Sequence, residues 1–205
     1  MKTIQAMAVI VAATVLLLAG VANAHSFNVA LLIGAADPAA ADGSAVRDGF
    51  LLATRERDGH SGQESDGHLG GLDVYLFVID GGDDPVAAAR AALDQQSIDI
   101  LAATDTIAPI AALRALTAGS RTVLMAPGTV PFPVEAASGG AARTAAVQRF
   151  IDAFAADYGD APTAAAARGY NAARRIDTAV RAQGGVSDTI RLEQALRDSE
   201  RRFDW

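Results

Sequence analysis

Four short apolar runs, each followed by a stretch of helical periodicity, constrain this chain more than any other feature. Residues 27–35 (FNVALLIGA) are almost uninterrupted apolar sequence ending in small residues, the pattern of a strand buried on both faces. Residues 74–79 (VYLFVI), 98–103 (IDILAA) and 122–126 (TVLMA) repeat it. Between the runs lie helical patterns. In 44–57, Val46, Gly49, Phe50 and Ala53 share one helix face. Asp83, Asp84 and Pro85 supply a cap and a first-turn proline for a helix to about 96. Thr104, Asp105 and Thr106 open a third helix that ends near Gly119, a residue suited to a left-handed C-terminal cap. Strand and helix in alternation, joined by short connections, predict an α/β domain, a three-layer α/β/α sandwich around a parallel sheet. Residues 58–71 (DGHSGQESDGHLGG) read as a polar, glycine-rich connection.

After Pro127 the alternation stops. Residues 128–143 hold three glycines and two prolines without periodicity and read as a linker. Helical stretches follow at 144–158, 163–183 and 188–199, and 201–205 (RRFDW) reads as either a short edge strand or an unstructured tail. Residues 1–24 have the pattern of a secretory signal peptide: Lys2, an apolar stretch over 8–21, and Ala22-Asn23-Ala24 as a cleavage site. The expectation is export through the Sec route to the periplasm, with a mature chain from His25 and no membrane span once the signal is cleaved. Without cysteine the protein has neither disulfides nor a lipid-attachment site. Residues 25–205 suffice for one domain. Lys2 is the single lysine, and a net charge of −7 argues against nucleic acid or an anionic membrane as partner.

In an open parallel sheet, ligands bind beyond the carboxyl ends of the strands. Here that edge gathers the loops 36–43, 80–84, 103–106 and 127–131. Hydroxyls of Thr104, Thr106 and Thr129 are candidate hydrogen-bonding groups there, and helix N-termini at this edge suit a carboxylate.

Residues 73–106 (DVYLFVIDGGDDPVAAARAALDQQSIDILAATDT) and 158–180 (YGDAPTAAAARGYNAARRIDTAV) resemble, in that order, the type I periplasmic solute-binding proteins of branched-chain amino acid ABC transporters. The resemblance implies a flavodoxin-like lobe and a ligand such as an amino acid or small organic acid. In the family a whole second lobe separates the two segments. Here only about fifty residues do, so the implied plan is one domain over 25–205: an alternating part at 25–127, a linker at 128–143 in place of the second lobe, and C-terminal helices at 144–205. The implied ligand-binding residues are Thr104, Asp105 and Thr106, then Gly128 and Thr129. In the first loop, where the family has an aromatic residue, this chain departs from the pattern with Asp42 and Ser44. The implied role is transport-related ligand binding without catalysis, as an accessory or sensor subunit. One open lobe leaves a face for a partner protein or for a second copy in a homodimer.

A competing reading is a copper site. His25 at a mature N-terminus offers amine and imidazole, and His60 and His68 fall at the same, opposite end of the sheet, with Asp58, Glu64 and Asp66 nearby in sequence. Enzyme classes find no motif: there is no G-x-S-x-G, P-loop, G-x-G-x-x-G after the first strand, or H-E-x-x-H. Asp80, Asp83 and Asp84 cluster at a strand end, and capping is the expected role.

Overall fold

The computed structural model describes residues 26–34, 41–56, 65–104, 109–128, 132, 141–202 and 205, with only the backbone at 41, 42, 141, 142, 201 and 202. Residues 1–25, among them the segment read as a signal peptide and His25, lie outside the described residues, as do His60 and, in the 128–143 linker, 129–131 and 133–140. Among the described residues five strands form one sheet: β1 (Ser26–Ile33), β2 (His68–Leu69), β3 (Leu72–Asp80), β4 (Ile100–Ala103) and β5 (Val123–Met125), in the order β2-β3-β1-β4-β5. β1 pairs in parallel with β3 and β4, and β4 with β5.

The expectation of a parallel sheet needs one correction. β2 runs antiparallel to β3, with His68 opposite Asp73 and Leu69 opposite Leu72, so the sheet is mixed. Its source is the Gly70-Gly71 pair inside the segment read as a polar, glycine-rich connection. Both residues have positive φ, 66° and 85°, as a two-residue hairpin turn requires. The Gly70 amide also donates to Asp177 Oδ1 at 2.8 Å, which ties the turn to a distant helix.

Six helices are present among the described residues: α1 (Ala41–Arg55), α2 (Pro85–Gln95), α3 (Ile110–Thr117), α4 (Ala141–Tyr158), α5 (Ala164–Gln183) and α6 (Thr189–Arg202). Side chains alternate across the strands and so divide the core in two. Phe27, Val29, Leu31, Val74, Ile100, Val123 and Met125 pack with α1, α4, α5 and α6. Ala30, Leu32, Ile79, Leu101 and Leu124 pack with α2 and α3. Helices therefore cover both faces, and the chain is α/β as expected.

Local signals explain the helix ends. Asp84 caps α2, its Oδ1 accepting from the Val86 and Ala87 amides, with Pro85 in the first turn. Asp80 serves the neighbouring turn, accepting from the Gly82 amide at 3.0 Å. These are the capping roles expected of that acidic cluster. α3 departs from expectation, because it begins at Ile110 and not beside Thr104. Pro109 stands at its cap, and the residue before a proline is pushed out of helical geometry. Of the C-terminal tail, Arg201 and Arg202 belong to α6, and Trp205 packs on Phe150 and Phe132, with ring centroids 5.4 and 5.8 Å apart.

α5 is the central helix. Residues such as Ala166, Ala173, Ile176 and Val180 are buried along nearly its whole length, as in a helix packed on several sides. It crosses α1 closely: a methyl group on Gly49 would overlap the Ala166 carbonyl, and one on Gly169 would overlap that of Val46.

Candidate functional site

At the carboxyl edge of the sheet, β4 ends in Ala103 and Thr104, and β5 leads into Ala126, Pro127 and Gly128. α5 passes these ends. Thr163 caps it, its hydroxyl accepting from the Ala166 amide at 3.3 Å, which fixes where the helix starts and therefore which residues face the strands. Arg168, Asn171 and Arg175 stand three and four residues apart, so they share one face. With Thr104, Met125 and Gly128 they line a small cleft holding a cavity of about 20 Å³, room for one or two water-sized groups.

Arg175 is 1% exposed. Its Nη1 donates to Ala126 O at 2.8 Å, its Nη2 to Leu196 O at 3.3 Å, and its Nε to Ser199 Oγ at 2.8 Å. These bonds go to two carbonyls and a hydroxyl, and they fasten the end of β5 to α6 through α5. Burial pulls the guanidinium pKa down to about 10, an effect that nearby Glu200 partly offsets. It stays charged at neutral pH. Gly128 lies over it, where a side-chain carbon would stand 3.0 Å from Nη1.

Two polar atoms in the cleft are buried without a hydrogen-bond partner, Arg168 Nε and Asn171 Oδ1. Asn171 is only 6% exposed. Buried polar groups are almost always satisfied, and these two atoms, both shut off from solvent, belong to residues that line the cavity. Among the described residues, the side chains that line this cleft include two guanidinium groups and no carboxylate, in a protein with 24 acidic and 17 basic residues. Its chemistry therefore favours an anion.

Of the residues expected at the site, Thr104 and Gly128 come together here. The Thr104 hydroxyl is 3.4 Å from Leu32 O, and the residue is 5% exposed. Ser44 is exposed in the first turn of α1 and does not line the cleft. The side chain of Asp42, and the whole of Asp105, Thr106 and Thr129, lie outside the described residues.

The histidine proposal falls at the opposite edge. Ser26 pairs with Asp73, which pairs with His68, and His68 Nε2 is 3.0 Å from Asp73 Oδ1. Among the described residues no group of three metal-binding side chains occurs, while His25 and His60 lie outside them. Arg168, Asn171 and Arg175 were not anticipated from sequence. A signal was available, namely a polar stripe at helical spacing within an alanine-rich helix. No protein-family model, curated protein or solved structure matches this chain.

Proposed function

We propose that the chain is an exported, non-catalytic ligand-binding domain built like a single flavodoxin-like lobe of a type I solute-binding protein. It would act as an accessory or sensor subunit for a small organic molecule. The observation that carries this reading is the strand-end cleft, where Arg168 Nε and Asn171 Oδ1 lack partners beside Thr104, Gly128 and a buried Arg175. The place agrees with the rule for parallel sheets, and the two guanidinium groups among its described lining residues suit an anionic group.

A single lobe leaves the ligand open to water on one side. Enclosed sites bury about 70–90% of a small ligand, and losing the opposing wall removes contacts and water exclusion together. Affinity near 1 mM, about −4 kcal/mol, follows from that geometry. Differential scanning fluorimetry with amino acids and small carboxylates at millimolar concentration tests the reading. At least one of them should raise the unfolding temperature, and the rise should vanish in Asn171→Leu. If none shifts the transition, small-molecule binding at this cleft is wrong.

A further inference from the structure

We infer that the outer edge of β3 is a docking site for a partner protein, which adds an extended segment parallel to β3, apolar at its centre and basic at both ends. The inference is independent of the strand-end cleft.

β2 covers that edge only at Leu72 and Asp73, and Asp66 and Gly67 carry the pairing on to Val74. Alternate residues of a strand turn their peptide groups to opposite neighbours. The Gly81 amide bonds inward to Ile33 O, whereas the amides of Val74 and Leu76 bond outward, to Gly67 O and Asp66 Oδ2. The outward series therefore continues through Val78 and Asp80. Among the described residues, Leu76 O, the N–H and C=O of Val78 and the N–H of Asp80 have no hydrogen-bond partner on that side. Apolar surface lies on the same strand, where Tyr75 is 37% and Val78 46% exposed. β3 is nine residues long and has neither lysine nor proline, residues that commonly blunt such an edge.

The four free groups fix the direction of the guest strand. In a parallel ladder, one guest residue gives its N–H to Leu76 O and takes that of Val78, and the residue two further on gives its N–H to Val78 O and takes that of Asp80. All four groups are then satisfied. An antiparallel guest would set a carbonyl against the Asp66 carboxylate, which already holds the Leu76 amide. Two copies of β3 related by a twofold axis are necessarily antiparallel, so a second copy of this chain fits the edge poorly.

Charge selects the guest. The stretch 58–89 holds seven carboxylates and no lysine or arginine, which equals the net charge of −7 of the whole chain. Asp66 and Asp80, both exposed, stand at the two ends of the free edge. Two such edges repel one another, while basic residues at both ends of a guest complement them. The guest residue between the two bonded ones lies opposite Val78, and an apolar side chain there covers it.

The test titrates the purified chain with the peptide Lys-Thr-Val-Thr-Lys, blocked at both ends, and follows backbone amide shifts and hydrogen exchange. The amides of Val78 and Asp80 should exchange freely without peptide, then shift downfield and gain protection with it. Methylating the amide nitrogen of the first threonine, which faces Leu76 O, should weaken binding about tenfold, the effect of one hydrogen bond. Methylating that of the valine, which faces away, should leave binding unchanged. Asp80→Lys should lose affinity for this peptide and prefer Lys-Thr-Val-Thr-Glu, a reversal that damage to the fold would not give.

Equal loss on methylating either nitrogen would show that the peptide does not extend the sheet. A preference of Asp80→Lys for Glu-Thr-Val-Thr-Lys would overturn the parallel direction. Protection of the Val78 amide without peptide would overturn the proposal: if it falls on dilution a second copy covers the edge, and if it persists the chain covers its own edge. Shifts centred on 168–175, or none at millimolar peptide, would overturn it as well.

Discussion

At the scale of single residues, two buried polar groups set what the chain tolerates. Arg175 holds a charge in the interior at a cost. Because its pKa falls to about 10 on folding, the folded and unfolded forms are both charged below that pH and the cost is fully present there. It is relieved only as pH climbs from about 10 towards the ordinary arginine value. What offsets it is the set of bonds to Ala126 O, Leu196 O and Ser199 Oγ. Replacing Arg175 by Met removes the desolvation cost but strands the Ala126 carbonyl, while Leu196 O keeps its bond from Ser199 Oγ, so a net loss of about 2 kcal/mol is expected in urea denaturation. Arg175→Lys should lose stability too, since one ammonium cannot span the three acceptors. A Met variant as stable as the parent would show that the guanidinium fastens nothing. Tyr158 gives a pH prediction of defined sign. Burial raises its phenol pKa above 10, against the pull of Arg55, while its hydroxyl donates to Asp48 O at 2.9 Å and accepts from Arg55. The folded state therefore holds this proton more tightly than the unfolded chain, a contribution present in full below pH 10 and lost as pH rises through the raised value. Denaturation curves across that window should show the stability gap between the parent and Tyr158→Phe shrinking with pH. A constant gap would rule the linkage out.

At the scale of elements, the crossing of α1 over α5 is the tightest fit in the fold. Gly49 lies against the Ala166 backbone and Gly169 against those of Val46 and Phe50, so each helix presents its glycine to the other. A single methyl group there meets main chain, which cannot rotate aside, and the helices must separate. Gly49→Ala and Gly169→Ala should each cost about 3 kcal/mol by overpacking, despite the better helix propensity of alanine. Thermal unfolding would measure it, and an unchanged or raised midpoint would mean that the crossing is looser than described. Much of this level was legible in sequence. The apolar run at 27–35 gave β1 because a strand buried on both faces is nearly uninterrupted, the run at 74–79 gave β3 although only Val74 and Ile79 in it are buried and Tyr75 and Val78 are exposed, and Asp84-Pro85 gave the start of α2. The Gly70-Gly71 hairpin was missed although the pair is a turn signal, because two-residue β2 is too short to show alternation. The site divided the same way. Thr104 and Gly128 could be anticipated because the strand-end rule points to whatever follows a strand. Arg168, Asn171 and Arg175 could not be placed without knowing which face of α5 meets the strand ends, and that depends on the fit against α1.

At the scale of the whole molecule, the two layers flanking the sheet are unequal, and this should decide how the protein opens. One layer joins α1, α4, α5 and α6 through buried aromatic and aliphatic side chains including Phe50, Phe150, Phe154, Ile176 and Leu192. The other, among the described residues, has α2 and α3, with Ala89 buried in α2 and Leu113 and Thr117 in α3. Opening free energy follows buried apolar contact, and segments that bury little come away while the rest stays folded. Native-state hydrogen exchange should therefore find the amides of 85–95 and 110–117 exchanging through an opening smaller than global unfolding. The amides of β1 and α5 should exchange only through the global event, since β1 is paired on both edges and α5 is covered along most of its length. Leu113→Ala sharpens the test. The side chain is fully buried in the thin layer, so its truncation costs about 2–4 kcal/mol. Leu113 packs in the native state and not once α2 and α3 have detached, so the variant should lower the opening energy of those two helices by that amount. If exchange in 85–95 and 110–117 instead tracks α5 at one common free energy in both proteins, the two layers unfold as a single unit, and the strand-end cleft rests on the thin layer as firmly as on the thick one.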